Sequence, residues 1–445
     1  MDAFNENLNE QQAQQPMGCL HRFSKTIKVV IIGLLILLLM IPMFMIENLI
    51  SERGRTQEEA IDEVSEKWSL AQTITGPYLN LQYPVVTENN GEKKVSIKDL
   101  ILFPDELMVN GQLKTEILKR SIYEVNVYQS ELTLKGSFSS EELKKSRIDM
   151  DQLQFDRAAI CLNLTDMRGI SEQISITLGD SVYIFEPGMD NRGIANTGVH
   201  AIANLSELKQ NKKLPYEIKI KLKGSQSLNF IPLGKTTRVD LKANWNTPSF
   251  TGNYLPNNRN ITEKEFSAQW QVLNLNRNYS QVMADYNTSN IKDIENSSFG
   301  VNFKIPVEQY QQSMRSAKYA ILIILLTFGV IFFTEIMNKT RIHALQYLLV
   351  GLALCLFYSL LLSFSEHIGF NPAYLLSSAL TIILVGGYMF GITKKKKPSL
   401  IMSGLLGILY LYIFVLIQLE TFALLAGSLG LFIILAMVMY FSKKI

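Results

Sequence analysis

The sequence predicts an α+β membrane protein. Six transmembrane helices, one N-terminal and five C-terminal, flank a large β-rich, sandwich-like periplasmic domain inserted after the first helix. Three observations predict this. Apolar runs lie at both ends of the 445-residue chain. Residues 47–317 are polar and nearly balanced, with 31 Lys and Arg against 34 Asp and Glu, whereas residues 318–445 carry nine against three. Basic residues also fall in alternate loops between the apolar runs.

The first predicted span is residues 27–46, which follow a Gln- and Asn-rich tail at 1–26. Val29–Ile46 is an uncharged run of 18 residues, long enough to cross about 30 Å of hydrocarbon. A cleaved signal peptide has a shorter apolar region and a small-residue cleavage site. Glu47–Arg53 offers no such site, so we predict an uncleaved anchor.

Five further spans are predicted in the C-terminal bundle at residues 318–445. They are about 319–337, 344–364, 373–392, 400–419 and 422–441. Lys and Arg occur in every second loop, at Lys339, Arg341, Lys394–Lys397, Lys443 and Lys444. Because cytoplasmic loops carry the excess of basic residues, this predicts cytoplasmic termini and an outer domain at 47–317. We therefore expect a multi-pass protein of a bacterial inner membrane.

The outer domain begins with a predicted amphipathic helix at about 56–72, where Thr56 and Glu59 have the spacing of a capping box. Short alternating strands separated by turns then favour packed sheets over a βαβ array. The clearest predicted strands are 116–129, 131–135, 158–164, 174–178, 182–185, 216–222, 227–231 and 237–241.

Several kinds of chemistry are not indicated. The four histidines, His21, His200, His343 and His367, show no ligand spacing, and the three cysteines form no C-x-x-C pair. There is no G-x-S-x-G in a strand–turn–helix context and no phosphate-binding loop. The balanced middle segment argues against nucleic-acid binding. We predict no catalytic or metal-binding residues and no cofactor, and we expect the lipid bilayer as a partner.

Two groups of residues are candidates for function. Glu366, His367 and Glu420 lie in or beside the two predicted outer loops, and a histidine between carboxylates can titrate near neutral pH. The alternative is that they are wet, inert interfacial residues. Within the second span, Glu335 has the spacing to pair with Lys339.

The second group is the loop Trp245–Pro256, which contains Trp245, Phe250 and Tyr254. Aromatic residues exposed on a loop favour recognition of a partner. A turn packed on the core is an equal alternative.

Segments along most of the chain resemble the CreD family of bacterial inner-membrane proteins, also called cell envelope integrity proteins. The resemblance covers about residue 25 to the end. It is carried by residues 48–54, 76–79, 165–170, 245–256, 300–310 and 315–326, and most specifically by Gln346–Tyr374. Asp166 and Arg168, in the third of these segments, are further candidate functional residues. The resemblance implies six spans, a periplasmic domain and a role in envelope integrity and envelope stress. It implies no reaction.

Three functions remain open from the sequence. The first is a non-enzymatic protein whose outer domain binds a periplasmic protein or an envelope component. The alternative is a membrane enzyme or lipid-handling protein with its site at Glu366, His367 and Glu420. The third is a sensor of envelope damage with a cytoplasmic partner. The sequence does not determine the oligomeric state.

Overall fold

The chain divides into two units. The computed structural model describes residues 17–89, 92–145, 148–189, 194–210, 212–284, 288–303, 308–338, 341–419 and 423–442. The β unit is Glu58–Pro306, and the helical unit comprises Met1–Gln57 and Val307–Ile445. The coarse expectation of an α+β chain with a large β-sheet domain after the first helix is confirmed.

The described part of the β unit contains seventeen strands. They are β1 (Gln72–Asn89), β2 (Glu92–Leu102), β3 (Glu106–Arg120), β4 (Tyr123–Phe138), β5 (Ala158–Leu164), β6 (Ser175–Leu178), β7 (Ser181–Ile184), β8 (Glu186–Pro187), β9 (Gly198–Ala203), β10 (Leu214–Ser225), β11 (Ser227–Phe230), β12 (Thr236–Ala243), β13 (Ser249–Gly252), β14 (Asn258–Ile261), β15 (Phe266–Leu273), β16 (Val282–Ala284) and β17 (Phe299–Asn302). Two short helices, α2 (Glu141–Lys145) and α3 (Thr288–Asn296), also belong to this unit.

The strands form two sheets. The nine-stranded sheet has the order β13-β17-β11-β1-β5-β9-β8, with β2 paired to β1 and β16 paired to β2. The eight-stranded sheet has the order β14-β15-β12-β3-β4-β10-β6-β7. Most pairs are antiparallel, but β1 pairs with β11 and β3 pairs with β12 in parallel.

Side chains from both sheets share one core. Along β3, Leu107, Val109 and Leu113 are buried and alternate with exposed residues, because successive side chains of a strand point to opposite faces. The same cluster includes Leu79 and Ile160 of the nine-stranded sheet. One face of the eight-stranded sheet is therefore apolar and buried, and its other face is polar and open.

The helical unit contains the longest apolar helices. Those outside the β unit are α4 (Glu308–Lys318), α5 (Ala320–Asn338), α6 (Ala344–Ile368), α7 (Phe370–Thr393), α8 (Lys396–Gln418) and α9 (Ala423–Ser442). Helix α1 (Met17–Trp68) contributes residues to both units. Among the described residues, five helices are long and apolar enough to cross a membrane: Ile27–Trp68, Ala320–Met337, Ala344–Ile368, Phe370–Thr393 and Lys396–Gln418.

Helix α1 differs from the sequence expectation. A separate amphipathic helix was expected to begin near Thr56, but the helix runs without a break from Met17 to Trp68. The Thr56 hydroxyl donates to the Glu52 carbonyl at 3.0 Å, within the helix. A threonine that bonds back to the preceding turn does not act as a helix cap, so no new helix starts at this position.

Candidate functional site

The candidate pair Asp166 and Arg168 lies at the junction between the end of α1 and the segment after β5. The Asp166 carboxylate accepts from the Leu70 amide at 2.9 Å, from the Ser69 hydroxyl at 3.3 Å and from Nε of Arg168 at 2.9 Å. Arg168 also donates through Nη1 to the Glu66 carbonyl at 2.5 Å. The two candidates therefore tie the last turn of α1 to the segment after β5.

Contacts of the Gln72 side chain complete this arrangement. We call it the Asp166 joint and define it by Ser69, Leu70, Gln72, Asp166 and Arg168. The Gln72 side chain donates to the Asp166 carbonyl at 2.8 Å and to the Ser69 hydroxyl at 2.9 Å. Space is tight beside it, because a Cβ atom added at Gly169 would lie 2.3 Å from the Lys223 carbonyl oxygen. The Asp166 side chain is only 7% exposed, so the joint is a packed structural feature.

Ionisation of Asp166 is stabilised despite its burial. Burial alone raises the pKa of a carboxyl, but the hydrogen bonds from Arg168 and from the Leu70 amide outweigh it and lower the pKa of Asp166. The paired carboxylate in turn raises the pKa of the exposed Arg168. Asp166 is therefore ionised at neutral pH, and its charge is balanced by the Arg168 guanidinium.

The aromatic residues of the 245–256 loop pack partly on the core. The Phe250 ring meets Trp270 edge-on at 5.6 Å and Phe266 at 5.8 Å. The Trp270 indole donates to the Tyr254 carbonyl at 3.2 Å, and Trp245 is also partly buried against the core cluster. The rings are half-buried rather than fully exposed, so part of each contributes to packing.

Beside this loop, three adjoining depressions run along the open face of the eight-stranded sheet. Their volumes are about 450, 540 and 520 Å³. The first shares Asp240 and Gln269 with the second, and Gln112 and Glu131 with the third. We call this surface the polar trough and define it by Asn110, Gln112, Glu131, Asp240 and Gln269.

The strand register explains why the trough is continuous. Gln269 lies opposite Asp240, which lies opposite Asn110. Two residues further along β3, Gln112 lies opposite Glu131 of β4. At about 4.8 Å per strand, the six strands from β14 to β10 make a surface about 24 Å wide. Its lining is mainly amides and charged groups of both signs, which both donate and accept hydrogen bonds.

In the helical unit, Glu366 near the end of α6 joins three helices. The Tyr310 hydroxyl of α4 donates to Oε1 of Glu366 at 2.9 Å, and Nε of Arg53 in α1 lies 3.9 Å from the same oxygen. Helices α1 and α4 approach closely here, since a Cβ atom on Gly54 would lie 3.9 Å from that of Tyr310. The Glu366 carboxylate thus takes part in helix packing, while the neighbouring His367 is exposed.

The third member of this predicted site, Glu420, lies outside the described residues. Within the described part of the chain, no group of three or more His, Cys, Asp or Glu side chains could hold a metal ion.

A second polar cluster in the helical unit was not foreseen. Lys28 of α1 forms a hydrogen-bonded ion pair with Glu335 of α5 and also donates to the Ile342 carbonyl at 2.9 Å. The Tyr347 hydroxyl donates to the other Glu335 oxygen at 3.2 Å. The sequence favoured a local pair with Lys339, which lies outside the described residues. The only sequence signal for the observed pair was that Lys28 and Glu335 both interrupt apolar runs.

Comparison with known proteins now adds the family. Residues 24–445 match the family described as inner membrane protein CreD. The chain belongs to the CreD family. The inner membrane protein CreD of Escherichia coli (strain K12) is 32% identical over 417 residues, which are 92% of this chain and 91% of the relative. Both the family and this relative are described as inner membrane proteins, and several apolar helices agree with a multi-pass chain.

Proposed function

We propose that this CreD protein contributes to envelope integrity and the response to envelope stress by binding an envelope component or a periplasmic protein, without catalysis. The observation that carries the proposal is the polar trough. A broad surface of amides and mixed charges suits an extended, polar partner better than a small apolar substrate. Asn257, the residue after the 245–256 loop, lines one end of the trough.

We also propose the topology that this function needs. Helix α9 would be a sixth span, both termini would be cytoplasmic, and the β unit, with its sheets packed as a sandwich, would lie in the periplasm. Two features support this: the basic residues in alternate loops and the apolar character of α9. An exposed cysteine placed in the β unit should then react with a membrane-impermeant maleimide in intact cells, whereas one at Lys395 should not.

The alternative of a membrane enzyme at Glu366 and His367 has less support. A catalytic carboxylate needs access to its substrate, but Glu366 is hydrogen-bonded by Tyr310 and lies beside Arg53 in a helix contact.

A crosslinking experiment tests the binding proposal. A photoreactive amino acid is placed at Gln112 or Gln269 in the trough, and at Ile202 on β9 of the other sheet as a control. Ile202 is 44% exposed, so it too is open to non-specific capture. We expect a discrete adduct from the trough positions in living cells and none from Ile202. Identical adducts from all three positions, or none from the trough, would contradict the proposal.

A phenotype test accompanies it. Cells that produce the Gln112→Trp/Gln269→Trp variant in place of the native protein should lose tolerance to envelope-damaging agents, because two bulky rings would fill the trough. The Ile202→Trp variant should behave as the native protein does. Immunoblots must show equal amounts of the two variants, since degradation alone would also reduce tolerance.

A further inference from the structure

A groove of about 250 Å³ lies in the helical unit between α1 and the start of α6. Its walls are mostly apolar side chains and its rim is polar. The lining residues are Ile27, Lys28, Ile31, Ile32, Leu35, Ile342, His343, Ala344 and Tyr347. None of them belongs to the β unit or to the polar trough, so the groove is a separate feature.

The polar end of the groove carries positive charge. The Lys28 ammonium has three N–H donors, and two find acceptors among the described residues: the Glu335 carboxylate and the Ile342 carbonyl. Glu335 neutralises this lysine, but the exposed Arg341 beside Ile342 adds a further cation. An anion at this end would meet the remaining Lys28 donor, and Arg341 directly precedes the lining residues Ile342 and His343 in the chain.

The backbone of α6 adds donors at the same place. The amides of Gln346 and Tyr347 already bond to the His343 carbonyl. The first two amides of the helix, at Ala344 and Leu345, precede any acceptor within the helix. The positive end of the helix dipole therefore coincides with the cationic end of the groove.

The apolar end runs along α1. Ile31, Ile32 and Leu35 follow Lys28 into the uncharged run, and seven residues of helix extend about 10 Å. That is about two thirds of the depth of one membrane leaflet. Lys28 stands where the charged and apolar parts of the sequence meet, which is the level of lipid headgroups. The groove thus has the polarity of a lipid: a cationic head and an apolar stem.

We propose that this groove binds one anionic phospholipid. Its phosphodiester lies at Lys28, His343 and the first amides of α6, within reach of the Arg341 side chain, and one acyl chain lies along Ile31, Ile32 and Leu35. Charge complementarity selects an anionic headgroup over a zwitterionic one. The long apolar wall selects a lipid over free phosphate, which needs no such wall.

Native mass spectrometry of the full chain in mixed micelles tests this. The micelles contain phosphatidylglycerol and phosphatidylcholine with the same acyl chains, and the ratio of the two retained lipids is measured. We expect retention of one phosphatidylglycerol. The Arg341→Gln/His343→Gln variant should lower the ratio about fivefold, the effect of one cation near a membrane surface. Both side chains are exposed, so the variant should fold.

A matched control distinguishes binding at this site from a general electrostatic attraction of anionic lipid to the protein. The Lys395→Gln/Lys396→Gln variant removes two exposed cations at the start of α8 and should leave the ratio unchanged. An equal loss in that variant, or no loss in the Arg341/His343 variant, would overturn the proposal.

A second arm tests the acyl chain. Ile31→Trp should fill the groove and reduce retention of phosphatidylglycerol, and soluble glycerophosphoglycerol should fail to displace the lipid from the native protein. Displacement by the soluble headgroup would mean that the anion alone is bound. Full retention in the Ile31→Trp variant would exclude the groove as the lipid site.

Discussion

Each unit of the molecule uses a carboxylate to collect hydrogen bonds from several segments, but the surroundings differ. In the β unit, Asp166 accepts from Leu70 and Arg168, and the Arg168 side chain is 56% exposed. In the helical unit, Glu335 accepts from Lys28 and Tyr347 among helices that carry long apolar runs. Each carboxylate has both a cationic and a neutral donor. What differs is whether water can replace a donor that is lost.

This difference predicts that equivalent substitutions destabilise the two units by different amounts. An ionic group that loses its partner near water is rehydrated, whereas one in an apolar setting stays uncompensated. The same kind of substitution should therefore cost more in the helical unit than in the β unit. It should cost least where the partner is distant or already in contact with solvent.

The largest effect is expected at Glu335. Glu335→Ala leaves the Lys28 ammonium without its carboxylate. Because the Lys28 side chain is 29% exposed, we expect a loss of about 3 kcal/mol in the free energy of unfolding, the low end of the range for a broken buried ion pair. Titration with SDS in mixed micelles, followed by far-ultraviolet circular dichroism, measures it.

The double variant Lys28→Met/Glu335→Met is the matched control. It removes both charges and should be less destabilised than Glu335→Ala alone, because no unpaired ion remains. The single variants Lys28→Met and Glu335→Met are measured as well. If the loss of unfolding free energy in the double variant equals the sum of their two losses, the ion pair does not couple these helices.

Asp166→Ala should have an intermediate effect. It leaves the Leu70 amide and the Arg168 guanidinium without an acceptor, but Arg168 can turn to water. We expect a loss of about 2 kcal/mol. All three tryptophans lie in the β unit, at positions 68, 245 and 270, so urea unfolding followed by tryptophan fluorescence reports on this unit.

Asp151→Ala is the control for that substitution. Its side chain is 91% exposed, and replacing it should change the stability by no more than about 0.5 kcal/mol. Equal losses in the two variants would mean that the Asp166 joint contributes no more than a surface aspartate.

The pH dependence of the stability of the β unit also tests the contribution of ionised Asp166. Because the pKa of folded Asp166 lies below that of an unfolded aspartate, its contribution is fully present above the unfolded pKa, about 3.9. It is lost as the pH falls through the lowered folded value. The stability difference between the native protein and Asp166→Asn should therefore be constant near neutral pH and shrink in acid. A difference that does not change down to pH 2 would exclude this linkage.

The sequence predicted the elements better than their partners. The apolar runs and the strand at 158–164 follow from local periodicity, and the structure places helices and β5 there. Periodicity says nothing about which distant strands pair, so the parallel pairs of β1 with β11 and of β3 with β12 could not be foreseen.

The same limit explains the ionic contacts. Local spacing proposed Glu335 with Lys339, whereas the structure pairs Glu335 with Lys28, 307 residues away. Asp166 and Arg168 were identified through a family resemblance, and their role in packing became visible only with Leu70 and Gln72 in place. A polar residue in a recurring segment looks the same in a sequence whether it binds a partner or holds a turn.

The smallest loss of unfolding free energy is expected at Glu366. This substitution is therefore the most direct test of whether exposure of the partner determines the loss. Glu366→Gln keeps an acceptor for the Tyr310 hydroxyl. It loses only a distant charge contact with Arg53, whose side chain is 48% exposed. We expect a loss of about 1 kcal/mol or less in the SDS titration, because exposed ion pairs contribute little. Tyr310→Phe, which removes the hydrogen bond and keeps the ring, should cost a similar amount. A loss at Glu366→Gln as large as that at Glu335→Ala would show that the apolar setting extends to this end of α6. The exposed fraction of a partner would then not predict the cost of losing it.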